Sequence, residues 1–211
     1  MKNAEGSGIK SLARRAWRII RWPLAVLVVL YIALLVWRYP SWKEEQRTPA
    51  AVAAIHAQKL TMDDVDGKHL PPPPDPAQVD ATVAGVDANG NGIRDDVELA
   101  IFKKYPNSPY TRAAELQYAM AEQMFLTRVF NSETWKAVSI EDDRGYQCIA
   151  QTYPRDNLEI FNKITDTRVQ EVKDLVFNTV KRQTVKAQSF GFATSFGLPD
   201  ENFCDVDLTT S

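Results

Sequence analysis

Between Arg21 and Arg38 the chain runs for sixteen residues, Trp22–Trp37, without a charge. Leu24, Val26, Leu27, Val28, Val29, Leu30, Ile32, Leu34, Leu35 and Val36 supply most of it. As a helix, at 1.5 Å per residue, such a run rises about 24 Å, against a hydrocarbon core of about 30 Å. Ile19 and Ile20 lengthen it by part of a turn if Arg21 snorkels to the headgroups. Four of the five tryptophans flank the run, Trp17 and Trp22 before it and Trp37 and Trp42 after it. That is the placement of interfacial aromatic belts. Pro23 stands near the expected helix start, where its missing N–H costs little. A soluble core helix is rarely apolar on every face. A cleaved signal peptide needs small residues after the apolar run, and this chain has Val36-Trp37-Arg38-Tyr39-Pro40 there. No cysteine stands beside the run to carry a lipid. The expectation is a single N-terminal transmembrane helix at residues 22–37.

Charge divides the chain in two. Residues 1–47 hold nine Lys/Arg and three Asp/Glu, and the rest hold sixteen and twenty-four, which together give the net charge of −2. Lys2, Lys10, Arg14, Arg15, Arg18 and Arg21 precede the apolar run, while Arg38, Lys43 and Arg47 follow it among Glu44 and Glu45. Positive flanks stay inside. The expected topology is therefore a basic cytoplasmic tail at 1–21 and an extracytoplasmic remainder, in the cytoplasmic membrane. An acidic body argues against nucleic-acid binding, which needs a positive face.

Residues 38–80 read as a stalk. Thr48–Lys59 is alanine-rich and suits one short helix. Asp63, Asp64 and Asp66 before Gly67 are either a second cation site or a solvated turn, and no ligand spacing follows them. Pro71-Pro72-Pro73-Pro74-Asp75-Pro76 favours polyproline II, a semi-rigid linker or a ligand for a proline-reading domain.

Residues 81–211 read as a small helical domain that opens with a metal loop. In Asp87-Ala88-Asn89-Gly90-Asn91-Gly92-Ile93-Arg94-Asp95-Asp96-Val97-Glu98, oxygen donors fall at positions one, three, five, seven, nine and twelve: Asp87, Asn89, Asn91, the backbone carbonyl of Ile93, Asp95 and Glu98. Calcium takes six to eight oxygens and uses this spacing, with a glycine at position six, here Gly92. The loop resembles those of EF-hands and, more closely, of thrombospondin type-3 and dockerin-like repeats. Arg94 stands where an EF-hand carries the aliphatic residue that pairs with a sister loop, and Ile93 stands one place earlier. A single loop implies no cooperative pair. The wider pattern, Gly85-Val86-Asp87 through Glu98, then Lys103-Lys104-Tyr105-Pro106 and Ala113-Ala114-Glu115-Leu116-Gln117-Tyr118-Ala119, is similar to a group of small membrane-anchored bacterial proteins. That resemblance carries architecture and no catalytic residues.

The spacing predicts helices near 95–105, 110–130, 141–152, 155–164 and 167–188, and no strand, so the fold class is all-α. Ala113, Leu116, Met120, Met124 and Thr127 form one stripe and Val169, Val172, Val176 and Val180 another. Trp135, Phe161, Ile164, Phe190 and Phe196 complete the expected core. Cys148 and Cys204, an even pair in an oxidising compartment, read as a disulfide. No nucleophile elbow, HExxH, phosphate loop or zinc cluster is present. His56 and His69, the only histidines, fall in the stalk. Glu115, Glu122, Glu141 and Asp142 are catalytic candidates by type alone, and read mostly as solvated faces. The expected function is a calcium-binding structural or protein-interaction module with an envelope protein partner, not an enzyme. The alternative is a calcium-stabilised, carboxylate-based envelope hydrolase.

Overall fold

The computed structural model describes residues 5–197 and 202–207. Lys2 of the basic tail lies outside them. The architecture is helical, with no strand among the described residues. Helix α1 is Glu5–Ala57, α2 Met62–Val65, α3 Pro76–Val79, α4 Asp95–Lys104 and α5 Pro109–Thr127. Helix α6 is Ser132–Gln151, α7 Leu158–Val176 and α8 Val180–Ser189, with a 3-10 turn at Phe190–Phe192.

The chain forms two compact units, Met1–Arg47 and Thr48–Ser211. The first is helical from Glu5 and includes a stretch long and apolar enough to cross a membrane. Its apolar side chains point outward: Trp22, Leu27, Val29 and Trp37 are all more than half exposed. Because α1 begins at Glu5, Pro23 is interior to the helix, contrary to the expected helix-start position. A proline there removes one ladder hydrogen bond, which transmembrane helices tolerate.

The second unit starts earlier than the expected domain. Ile55, Leu60 and Val65, assigned above to a stalk, are buried in the same core as Leu116, Val138 and Val172. The acidic segment is a turn: Thr61 and Asp64 form a capping box, and Asp63 pairs with Lys68. The proline run leads into α3, capped by Asp75 on the Ala77 N–H.

Helix α5 is central. Every residue from Arg112 to Phe125 is buried, not only the expected stripe. Surrounded by α2, α4, α6, α7 and α8, it has no face left for water. Its polar side chains therefore find partners inside, as buried polar groups must. Arg112 donates to Val65 O and Tyr105 O, Glu115 takes Arg168, and Gln117 donates to Phe203 O. Against α6 the approach is close. A Cβ on Gly145 would stand 2.9 Å from Tyr118 Cα.

Two helix boundaries differ from expectation for capping reasons. Helix α6 starts at Ser132 because Asn131 caps it and boxes with Thr134. The expected 167–188 helix is two helices. Thr179 caps α8 on the Arg182 N–H, so Val180 begins a new helix and is 78% exposed. Helix α7 meanwhile runs through 165–167 without a break. Of the expected core, Trp135 is buried, Phe161 and Ile164 are half-buried, and Phe190 is exposed.

Candidate functional site

The segment Asp87–Glu98 folds as a tight loop feeding α4. Gly90 and Gly92 hold φ of +73° and +88°, values that glycine adopts without penalty. A Cβ on Gly92 would also strike the Gln58 side chain at 1.7 Å, and Gln58 Nε2 itself donates to Asn91 O at 3.1 Å. Three acids, Asp95, Asp96 and Glu98, occupy the first turn of α4, where the helix dipole favours negative charge.

Each expected ligand now has a place. Asp87 accepts from Gly90 N at 2.8 Å through Oδ1 and from Gly92 N at 2.9 Å through Oδ2. Asn89 Oδ1 accepts from Asn91 N, and Asn91 Oδ1 from Ile93 N. Asp95 Oδ1 accepts from Ala88 N. Ile93 is fully buried in the core, with Asp95 and Glu98 each 1% exposed. Among the described residues no three His, Cys, Asp or Glu side chains converge as a ready metal cluster. Asp87 and Asp95 are turned onto backbone amides instead.

The amides fill the middle. Asn89 Nδ2 donates to both carboxylate oxygens of Glu98, at 3.4 and 3.1 Å. Asn91 Nδ2 is buried near the Glu98 carboxyl, which it helps hold down, but makes no hydrogen bond of good geometry. An orphaned buried N–H is costly. A half-turn of either amide exchanges nitrogen for oxygen and offers an acceptor instead. Burial pushes the Glu98 carboxyl up to about 7, and neighbouring acids Asp64 and Asp95 add to the rise. Burial likewise raises Asp95, helped by Asp87 and Asp96. The donor set of carboxylates, amide oxygens and one backbone carbonyl suits a hard divalent cation.

Two buried arginines that the sequence reading did not assign tie this loop to the body. Arg94 is fully buried. It pairs with Asp96 and donates to Leu175 O and Val176 O, the last carbonyls of α7. The position that departs from EF-hands therefore caps a helix C-terminus. Arg182, 1% exposed, donates to Val79 O and Val83 O and pairs with Asp80, just ahead of the loop. Only a burial pattern would have found them, because surface and core arginines read alike in sequence.

The other acidic candidates are not solvated faces. Glu115, Glu122 and Glu141 are buried. Glu141 receives His56, Lys59 and Arg144. Although its burial acts to raise the carboxyl, hydrogen bonds from Lys59 and His56 hold it below the ordinary range. Glu122 accepts from the Tyr118 hydroxyl at 2.9 Å and from Lys186 at 2.6 Å. Asp142 is pushed up to about 7 by burial and by Glu122.

Cys148 and Cys204 form a disulfide, with Cα atoms 4.9 Å apart. It pins a C-terminal strap that Gln117 and Arg144 also hold, through Phe203 O and Asn202 O. Closing a loop 56 residues long is worth about 4 kcal/mol in the chain-entropy model. No known family, curated protein or solved structure matches the chain.

Proposed function

We propose that this protein is a membrane-anchored, extracytoplasmic calcium-binding module that serves a structural or protein-interaction role in the cell envelope. The observation that carries the reading is the state of Glu98. The residue is 1% exposed, its carboxylate receives neutral amide donors, and its charged neighbours are acids. A buried charge without a counter-charge is expensive, and a divalent cation is the partner this donor set fits.

When bound, calcium supplies the missing positive charge. The chain's own residues do the rest. Asp87, Asn89, Asn91, Asp95, Glu98 and the Ile93 carbonyl offer the oxygens, and Gly92 lets the backbone turn between them. Arg94 ties the loop to the end of α7, and Arg182 ties the segment ahead of the loop to α8. The anchor reading is supported by the apolar stretch of α1, and the outside location by the basic flank and the disulfide. The burial of Glu115, Glu122 and Glu141 among protein partners supports binding over hydrolysis.

The test is titration calorimetry on the purified full-length protein in detergent. Calcium should bind at one site, in the high-micromolar to millimolar range of extracellular modules. Magnesium should bind poorly because its shell is smaller and it keeps its waters. Glu98→Gln should abolish binding. No heat at millimolar calcium would sink the reading.

A further inference from the structure

Both central residues of the loop are asparagines followed by glycine, Asn89-Gly90 and Asn91-Gly92. This dipeptide has an intrinsic chemistry. The backbone nitrogen of the glycine attacks Cγ of the asparagine side chain, and a five-membered imide forms as the Cγ–Nδ2 bond breaks. The proton of the glycine N–H leaves with the side-chain nitrogen as ammonia. Water then opens the imide at one of its two C–N bonds. One opening yields aspartate, and the other yields isoaspartate, with an extra methylene in the backbone. Glycine permits this because no side chain hinders the approach of its nitrogen.

In this fold both attacking nitrogens are engaged by a single residue. Gly90 N donates to Asp87 Oδ1 at 2.8 Å, and Gly92 N donates to Asp87 Oδ2 at 2.9 Å. The two electrophiles are held as well. Asn89 Oδ1 accepts from Asn91 N at 3.3 Å and Asn91 Oδ1 from Ile93 N at 2.9 Å, so each side chain is fixed on the amide beyond the one that would attack it. Both asparagines are half-buried residues, although Asn91 Nδ2 itself is shielded.

We propose that Asn89 and Asn91 are sites of spontaneous deamidation, and that the Asp87 carboxylate restrains both reactions by holding the Gly90 and Gly92 amides. The co-reactant is water alone. The consequence falls on Glu98. Asn89 Nδ2 is its hydrogen-bond donor, and conversion of Asn89 replaces that donor with a second carboxylate against a buried one. The aspartate product turns two neutral loop positions acidic and makes the loop more dependent on a counter-cation. The isoaspartate product lengthens the backbone inside a turn set by Gly90 and Gly92.

Full-length protein in detergent, with chelator present, is incubated at mildly alkaline pH. Conversion at each asparagine is read by peptide mass spectrometry. Asp87→Ala should convert at both sites about tenfold faster than the unsubstituted protein, the rate equivalent of one charge-assisted hydrogen bond lost from each attacking nitrogen. Asp95→Asn removes a charge from the same loop but touches neither glycine nitrogen, and should convert at the unsubstituted rate. Two results would overturn the proposal: Asp87→Ala no faster than the unsubstituted protein, or Asp95→Asn as fast as Asp87→Ala. Because no metal is present in any arm, failure of calcium binding leaves this test intact.

Discussion

Glu98 and Glu122 are the same residue type, both on helices and both shielded from water, at 1% and 0% exposure. Their surroundings are opposite. Glu122 is met by Lys186 at 2.6 Å, Lys173 at 3.8 Å and the Tyr118 hydroxyl. Three aromatic rings, those of Phe125, Phe177 and Phe190, face the Lys186 ammonium. Glu98 has amides and acids instead. One buried carboxylate carries its counter-charge in the chain, and the other has no cation among its hydrogen-bond partners. The proposed calcium site rests on that difference.

The largest expected effect breaks the self-contained site. Lys186→Met leaves Glu122 with only the distant Lys173 as counter-charge, and should cost about 3–5 kcal/mol in denaturant unfolding. Adding Glu122→Gln to that variant should recover part of the loss, because no uncompensated charge then remains. A single variant as stable as the double would mean that Glu122 does not need its lysine.

The second effect adds the charge that Glu98 lacks. Calcium at a hundredfold excess over its dissociation constant should stabilise the fold by about 2.7 kcal/mol. For a chain of this size the melting temperature should rise by about 5–10 °C over chelator. Glu98→Gln should remove most of the rise, while Lys186→Met should retain it. Loss of the calcium response in both variants would erase the distinction between the sites.

A smaller effect is read from pH. Burial raises the Asp142 carboxyl in the folded protein to about 7, above its unfolded value of 3.8. The folded state therefore keeps this proton longer, and stability falls as pH rises from about 4 through about 7. Asp142→Asn should flatten that fall, and so gain stability relative to the unsubstituted protein between pH 5 and pH 8. An unchanged slope in urea titrations at the two pH values would remove Asp142 from the cluster.

The smallest effect is the control. Lys104 and Glu171 form an ion pair with both side chains more than a third exposed. Lys104→Ala should change stability by less than about 0.5 kcal/mol, because water screens the pair. A cost as large as that of Lys186→Met would show that exposure does not set the scale.

Signals carried by neighbouring residues were legible in the chain. The charge-free run, the loop spacing from Asp87 to Glu98, and the proline break before α5 each depend on residues within a few turns of one another. So did the helical class, although the start of α6 and both ends of α7 were misplaced. The caps Asn131 and Thr179 are common loop residues until a helix is seen to begin after them. Periodicity also underestimated α5. A stripe of apolar residues predicts one buried face, and a helix ringed by others buries all of them.

By itself, the sequence determined where a membrane-length apolar helix lies, which residues can present oxygens at calcium spacing, and that two cysteines are available to pair. Those are properties of composition and local spacing, and folding does not alter them. Tertiary structure decided that Cys148 meets Cys204, that Ile55 and Leu60 belong to the core, and that Arg94 and Arg182 are buried clamps. It also decided which acid has a lysine and which does not. Contacts of that kind join residues 47 to 145 positions apart, and the energy of a buried charge depends on what stands beside it in space.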